Sequence, residues 1–145
     1  MNFNFRPIAF KDWEILLKWR NDPVVRMNSH NSELIEEEMH KTYIRGLLKA
    51  KDRKQYIFSV GDKEVGTIRE DELGHANELS YIISPDEYGK KLGELMIRLF
   101  LHDKEGRFHC EIKKDNIASI KAAERSGFTV SDTKGEMLQY SLDKK

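Results

Sequence analysis

Hydrophobic residues recur along this chain with two periods, and the period changes wherever the element type changes. Phe3, Phe5 and Pro7 form a short alternating start, which predicts a strand over residues 2–7. Trp13, Leu16, Leu17 and Arg20 follow at helical spacing, so residues 10–20 read as a helix. Asn21-Asp22-Pro23 stops it, because proline disfavours α geometry in the residue before it. A loop then runs to about Ser32. Ile35, Met39, Tyr43 and Leu47 lie four apart and predict a second helix over 33–50. Glu33, Glu36, Glu37 and Glu38 sit at its start, the end the helix dipole favours for acidic side chains.

From Gln55 the period is two. Tyr56, Phe58 and Val60 alternate, Gly61-Asp62-Lys63 supplies turn chemistry, and Val65 to Glu70 reads as the hairpin partner. Leu79, Tyr81 and Ile83 alternate in a further strand that ends at Ser84-Pro85. Leu92, Leu95, Met96, Leu99 and Phe100 define a helix over 90–104, which Gly106 ends. Phe108, Cys110 and Ile112 alternate as a strand. Asp115 or Asn116 caps a helix reaching about Ser126, with Gly127 as its stop. Two short strands remain, near 128–132 and 137–142. The order β-α-α-β-β-β-α-β-α-β-β mixes hairpins with helical crossovers. It predicts an α/β (α+β) fold, a mixed sheet with helices on both faces.

The 145 residues show no linker or repeat, so one domain over 1–145 is expected. Basic and acidic side chains number 25 each, which leaves no overall cationic excess for phosphate neutralisation and argues against a nucleic-acid partner. No apolar run approaches the roughly 20 residues of a membrane helix. The N-terminus lacks the layout of a signal peptide, and a lone cysteine excludes an internal disulfide framework; a cytoplasmic protein without a membrane partner is expected. Cys110 alternates with Phe108 and Ile112 and reads as core filler. The five histidines lack short metal-ligand spacing, so no metal is expected. Walker, GxGxxG and GxSxG motifs are absent.

The informative stretch runs from Ile82 to Glu94: an apolar strand, a loop with Gly89, Lys90, Lys91 and Gly93, then the strong amphipathic helix. A helix N-terminus offers unpaired N–H groups and a positive dipole end, which suit a phosphate. By itself the pattern also fits an ordinary turn and cap.

Two more segments sharpen the reading. Residues 116–128 (NIASIKAAERSGF) and 18–26 (KWRNDPVVR), taken with the loop at 88–93, resemble the GNAT superfamily of acyl-CoA-dependent N-acetyltransferases. The Trp19-Arg20-Asn21 signature resembles the branch of ribosomal-protein N-terminal and amino-sugar nucleotide acetyltransferases. Tyr88 stands where the family's pyrophosphate loop has Gln or Arg, Lys91 stands at its first glycine, and Gly93 matches its last. Ala123 stands where many members carry a tyrosine acid.

The resemblance implies acetyl-CoA as co-substrate. It implies a cofactor site at Ile82, Ile83 and Ser84 (backbone groups freed where two strands splay), at Gly89, Lys90, Lys91, Leu92, Gly93 and Glu94, and at Asn116 and Ser119. Glu78 is the candidate base, or else a solvated strand glutamate. Tyr81 is a proton donor to the leaving thiolate, or else core. Trp19, Arg20, Asn21, Arg26 and His30 are expected at the acceptor, with the two arginines reading an acidic group. His75 reads as solvated. The expected activity is acetylation of a primary amine on a small molecule such as an amino-sugar nucleotide. The alternatives are a peptide N-terminus as acceptor, or a non-catalytic acyl-CoA-binding module. A monomer or homodimer is expected.

Overall fold

The computed structural model describes residues 2–145. Its strands are β1 (Phe3–Pro7), β2 (Arg53–Val60), β3 (Lys63–Glu72), β4 (Asn77–Ile83), β5 (Gly106–Lys113), β6 (Thr129–Lys134) and β7 (Met137–Lys144). The helices are α1 (Trp13–Arg20), α2 (Pro23–Met27), α3 (Glu37–Lys49), α4 (Leu92–Leu101) and α5 (Ile117–Arg125). The strands form one sheet in the order β1-β2-β3-β4-β5-β7-β6.

Alternation along each strand divides the core between the two sheet faces. On one face α4 and α5 pack Met96, Ile97, Phe100 and Ala123 against Phe58, Ile68, Leu79 and Phe108. On the other, Leu16 and Trp19 of α1 and Ile44 and Leu47 of α3 pack against Ile57. At about 25 cal/mol per Å² of apolar surface, this burial is the main favourable contribution to folding.

One seam differs from the rest. β4 and β5 run parallel and pair only at Asn77↔Phe108 and Glu78↔His109. Beyond that point the two strands diverge and the sheet opens.

Of the boundaries that differ from the pattern read in sequence, three have a visible cause. Pro23 ends α1 and also opens α2, where Asp22 caps the new helix by accepting from Val24 N at 3.0 Å. α3 starts at Glu37 rather than at 33, because the Asn21 amide engages both backbone groups of Ile35, at 2.9 and 2.8 Å, and holds that segment out of the helix. α4 starts at Leu92 rather than at 90, because Lys91 adopts a left-handed φ of 58°.

Candidate active site at the sheet opening

Hydrogen-bond parity decides which backbone groups of β4 are free. Bonded and non-bonded pairs alternate in an antiparallel ladder. Leu73 N donates to Ala76 O (3.0 Å) and Ser84 N donates to Val65 O (2.8 Å). Even-numbered residues of β4 therefore bond to β3, and odd-numbered ones face β5. Past the Glu78↔His109 rung β5 has diverged, so the groups that face the opening are those of Tyr81 and Ile83. This corrects the sequence expectation: Ile82 directs its backbone groups to β3, Ser84 donates its N–H to β3 and accepts from Glu87 N at 2.9 Å, and Tyr81 takes their place.

Beside the opening, on the α4–α5 side, lies a cavity of about 460 Å³. Tyr81, Ile83, Gly89, Gly93, Asn116 and Ser119 are among its lining residues. Leu95 N donates to Lys91 O at 3.3 Å, so the N–H groups of Leu92, Gly93 and Glu94 precede the first turn's acceptors. A Cβ on Gly93 would meet Ala122 Cβ at 3.7 Å and Ile83 Cγ1 at 3.8 Å, which is ordinary contact, so alanine also fits there. The Asn116 side chain caps α5, accepting from Ser119 N at 3.3 Å. Lys91, Lys121 and Arg125 line this cavity, along with the carboxylates of Glu87 and Glu94. Lys90 does not line it; its ammonium binds the buried Glu87 at 2.6 Å. Lys63 binds the same carboxylate, and hydrogen bonds from Lys63 and then Lys90 hold it below the usual carboxylate range. The loop is thus pinned from below.

Through the opening, on the α1–α3 side, lies a second cavity of about 590 Å³. Glu78, Arg69, Glu111, Tyr43, His30 and Arg20 line it. The two cavities share Asn28, Ser29, Tyr81, Ile82, Asn116 and Ser119, so they meet at the splay. Glu78 Oε2 lies 3.1 Å from His109 Nδ1. Glu111 Oε1 lies 3.2 Å from His30 Nε2, and its other oxygen accepts from Gln139. The Gln139 bond outweighs desolvation and, with His30, keeps the Glu111 carboxyl below its usual range. Tyr81 donates to Ser119 O at 3.4 Å, and burial pushes its phenol well above the usual value, so it stays protonated. Arg20 has one hydrogen bond, to Asn31 O at 3.0 Å, and its Nη1 is buried with no partner among the described residues. Burial, and then the charge of Arg26, lower its pKa.

A sequence profile of the acetyltransferase (GNAT) domain matches residues 2–129. The chain belongs to the GNAT acetyltransferase family. Spermidine N-acetyltransferase from Vibrio cholerae, in complex with CoA and spermine, superposes with a TM-score of 0.84 at 11% identity, over 98% of this chain and 95% of that one. AAC(6')-Ib in complex with ribostamycin and coenzyme A gives 0.83 at 14%, over 99% and 94%. RimL, a ribosomal L7/L12 alpha-N-protein acetyltransferase in complex with coenzyme A, gives 0.78 at 14%, over 99% and 94%. These likenesses show the shared fold. No curated protein matches the sequence.

In this GNAT acetyltransferase, the residues expected at the acceptor divide into two groups. Arg20 and His30 line the second cavity. Trp19 does not; it is 3% exposed and packs in the core beneath α1. Asn21 and Arg26 are loop clamps: Arg26 donates to Asn21 O at 3.1 Å and to Ser32 O at 3.3 Å. Lys121 and Arg125 went unnoticed in sequence, although their i, i+4 spacing on the exposed face of α5 marks a basic stripe. His109 and Glu111 were missed because only pairing across the sheet brings them to Glu78 and His30. His75 is exposed. Cys110 is buried, and burial, reinforced by the charge of Glu78, pushes its thiol up to about 12.

Proposed function

We propose that this acetyltransferase moves an acetyl group from acetyl-CoA to the primary amine of a small molecule that also carries an oxyanion, of which an amino-sugar nucleotide is one class. The observation that carries the reading is the meeting of two cavities at the splay. One presents a helix N-terminus, free strand backbone and three cations; the other presents a carboxylate and an under-used arginine. Acetyl-CoA supplies an activated thioester when bound. The residues fit it: the open N–H groups of α4 and the charges of Lys91, Lys121 and Arg125 suit its phosphates, and the backbone of Tyr81 and Ile83 suits the pantetheine arm and the carbonyl.

The amine sits in the second cavity. Glu78 accepts a proton from its nitrogen as that nitrogen bonds to the thioester carbon. The carbon–sulfur bond breaks and the sulfur departs as thiolate, to which the Tyr81 hydroxyl, kept protonated by burial, donates a hydrogen bond. Holding both partners at one opening contributes a large part of the rate, because the encounter entropy is lost on binding rather than in the reaction. Arg20 serves the acceptor's anionic end. A cation half out of water with a single neutral partner is costly to leave unpaired, and an oxyanion resolves that cost.

The loop between α2 and α3 favours a small acceptor over a protein terminus. Lys113 Nζ binds Met27 O at 2.9 Å and Glu111 binds His30, so β5 straps this wall of the cavity at two points.

The test is thiol release from acetyl-CoA with pairs of primary amines that differ only in a carboxylate or phosphate. The anionic member of each pair is expected to react with the lower KM. Arg20→Ala is expected to raise that KM about tenfold or more, the worth of one hydrogen bond to a charged group, and to leave the KM for acetyl-CoA unchanged. Equal KM values within the pairs would replace the anionic acceptor with a neutral one.

A further inference from the structure

We propose that His109 is a positioning residue that holds Glu78 in the orientation from which it takes the acceptor's proton. The inference rests on the reading of Glu78 as base. It is carried by the one rung of the sheet that precedes the opening.

The Glu78↔His109 pair is the last contact between β4 and β5 before they diverge. Phe108, Cys110 and Ile112 point to the α4–α5 core, so His109 points to the opposite face, where Glu78 also lies. The parallel register brings the two side chains together, with Nδ1 and Oε2 3.1 Å apart. An ionised carboxylate has no proton to donate, so the bond runs from the ring N–H to the glutamate oxygen. Oε1 has no hydrogen-bond partner among the described residues, and Glu78 lines the acceptor cavity while His109 does not.

A glutamate has three rotatable bonds, and ordering such a chain costs conformational entropy. A bond from His109 fixes one oxygen and presents the other. In the transfer the proton leaves the amine nitrogen for Oε1, and His109 keeps its own proton. The arrangement sits at the end of a strand ladder, so it is rigid where the reaction needs rigidity. Glu111, two residues along on the same face, is already engaged by Gln139 and His30 and leaves His109 to Glu78.

The test is a kinetic cycle on the whole protein with acetyl-CoA and an amine that the wild type acetylates. Glu78→Gln is expected to lower kcat by about 10²–10⁴-fold. His109→Ala is expected to lower kcat by roughly tenfold, as loss of an orienting partner does elsewhere, with KM for acetyl-CoA unchanged. His109→Asn, whose amide N–H falls near the place of Nδ1, is expected to restore most of that loss. In the Glu78→Gln background His109→Ala should change nothing further. The proposal is overturned by wild-type kcat in His109→Ala, by an undiminished effect in the Glu78→Gln background, or by His109→Asn no better than His109→Ala. Should His109→Ala fail to fold, His109→Asn alone decides: kcat near that of wild type supports positioning by the N–H, and kcat reduced tenfold overturns it. A wild type that releases no thiol with any amine is a separate result, which overturns the transfer reading and this role with it.

Discussion

Lys91 holds a left-handed conformation, φ 58°, at the turn into α4, and it is the only non-glycine residue with positive φ among those described. A side chain there costs roughly 1–2 kcal/mol. Lys91→Gly removes that strain and adds back about 0.4–1 kcal/mol of unfolded-chain entropy. The variant is therefore expected to be more stable by a few tenths to about 1 kcal/mol, which urea titration would register. Its KM for acetyl-CoA reports separately on whether the Lys91 charge helps bind phosphate; a rise shows that it does. That Lys91 occupies a position the family gives to glycine was legible in the sequence. That the backbone keeps the glycine-like conformation regardless was not, because a lysine by itself disfavours that conformation. The same limit applied to Tyr81 and Ser84. Alternating side chains reveal which face each residue presents, but the direction of each N–H depends on the phase of pairing with β3.

Among the elements, the β3–β4 pair sets the shape of the opening. A Cβ on Gly66 would lie 2.8 Å from Ile82 O and 2.9 Å from Ile83 Cδ1. Backbone carbonyls yield little, so β4 itself would have to shift. Gly66→Ala is expected to destabilise by about 1–3 kcal/mol, the usual range for overpacking. It should also raise KM for acetyl-CoA, because Ile83 carries backbone that faces the cavity. Urea unfolding and steady-state kinetics test the two effects together; a destabilised protein with unchanged KM would place the acyl group away from β4. The strands and long helices followed from their hydrophobic periods, since burial on a sheet face or helix stripe requires that spacing. α2 and the late start of α3 did not. They depend on the Asp22 cap and on the Asn21 amide reaching Ile35, 14 residues away in sequence.

On the scale of the whole molecule, a half-buried ion pair joins the first strand to the first helical turn. Arg6 grips both oxygens of Asp12, at 2.9 and 3.0 Å, Ala9 N donates to the same carboxylate at 2.7 Å, and Arg6 also reaches Glu64 at 2.7 Å. Burial alone would raise the Asp12 pKa, but the bonds from Arg6 and Ala9 outweigh it and bring it below the ordinary 3.8. A depressed carboxylate stabilises the fold above its unfolded pKa, and that contribution is lost as pH falls through the folded value. Asp12→Asn is expected to lose about 1.5 kcal/mol at neutral pH, the lower end for hydrogen bonds to a charged group, because the Arg6 end of the pair is open to solvent. The gap between wild type and variant should narrow as pH drops below 3.8. Urea unfolding at a series of pH values measures it; a constant gap would show that packing rather than charge accounts for the loss.

The sequence by itself determined the order of the strands and long helices, the mixed sheet with helices on both faces, and the acetyltransferase resemblance. These depend on local spacing and on short motifs, and a residue's neighbours in the chain carry that information. Tertiary structure alone decided that β4 and β5 part after two rungs, that cavities on opposite faces meet there, and that His109 stands beside Glu78. It also decided that Arg26 and Asn21 clamp a loop while the buried Arg20 Nη1 has no partner among the described residues. These are relations between residues dozens of positions apart, and they arise only when strand pairing fixes register and the helices close over each face.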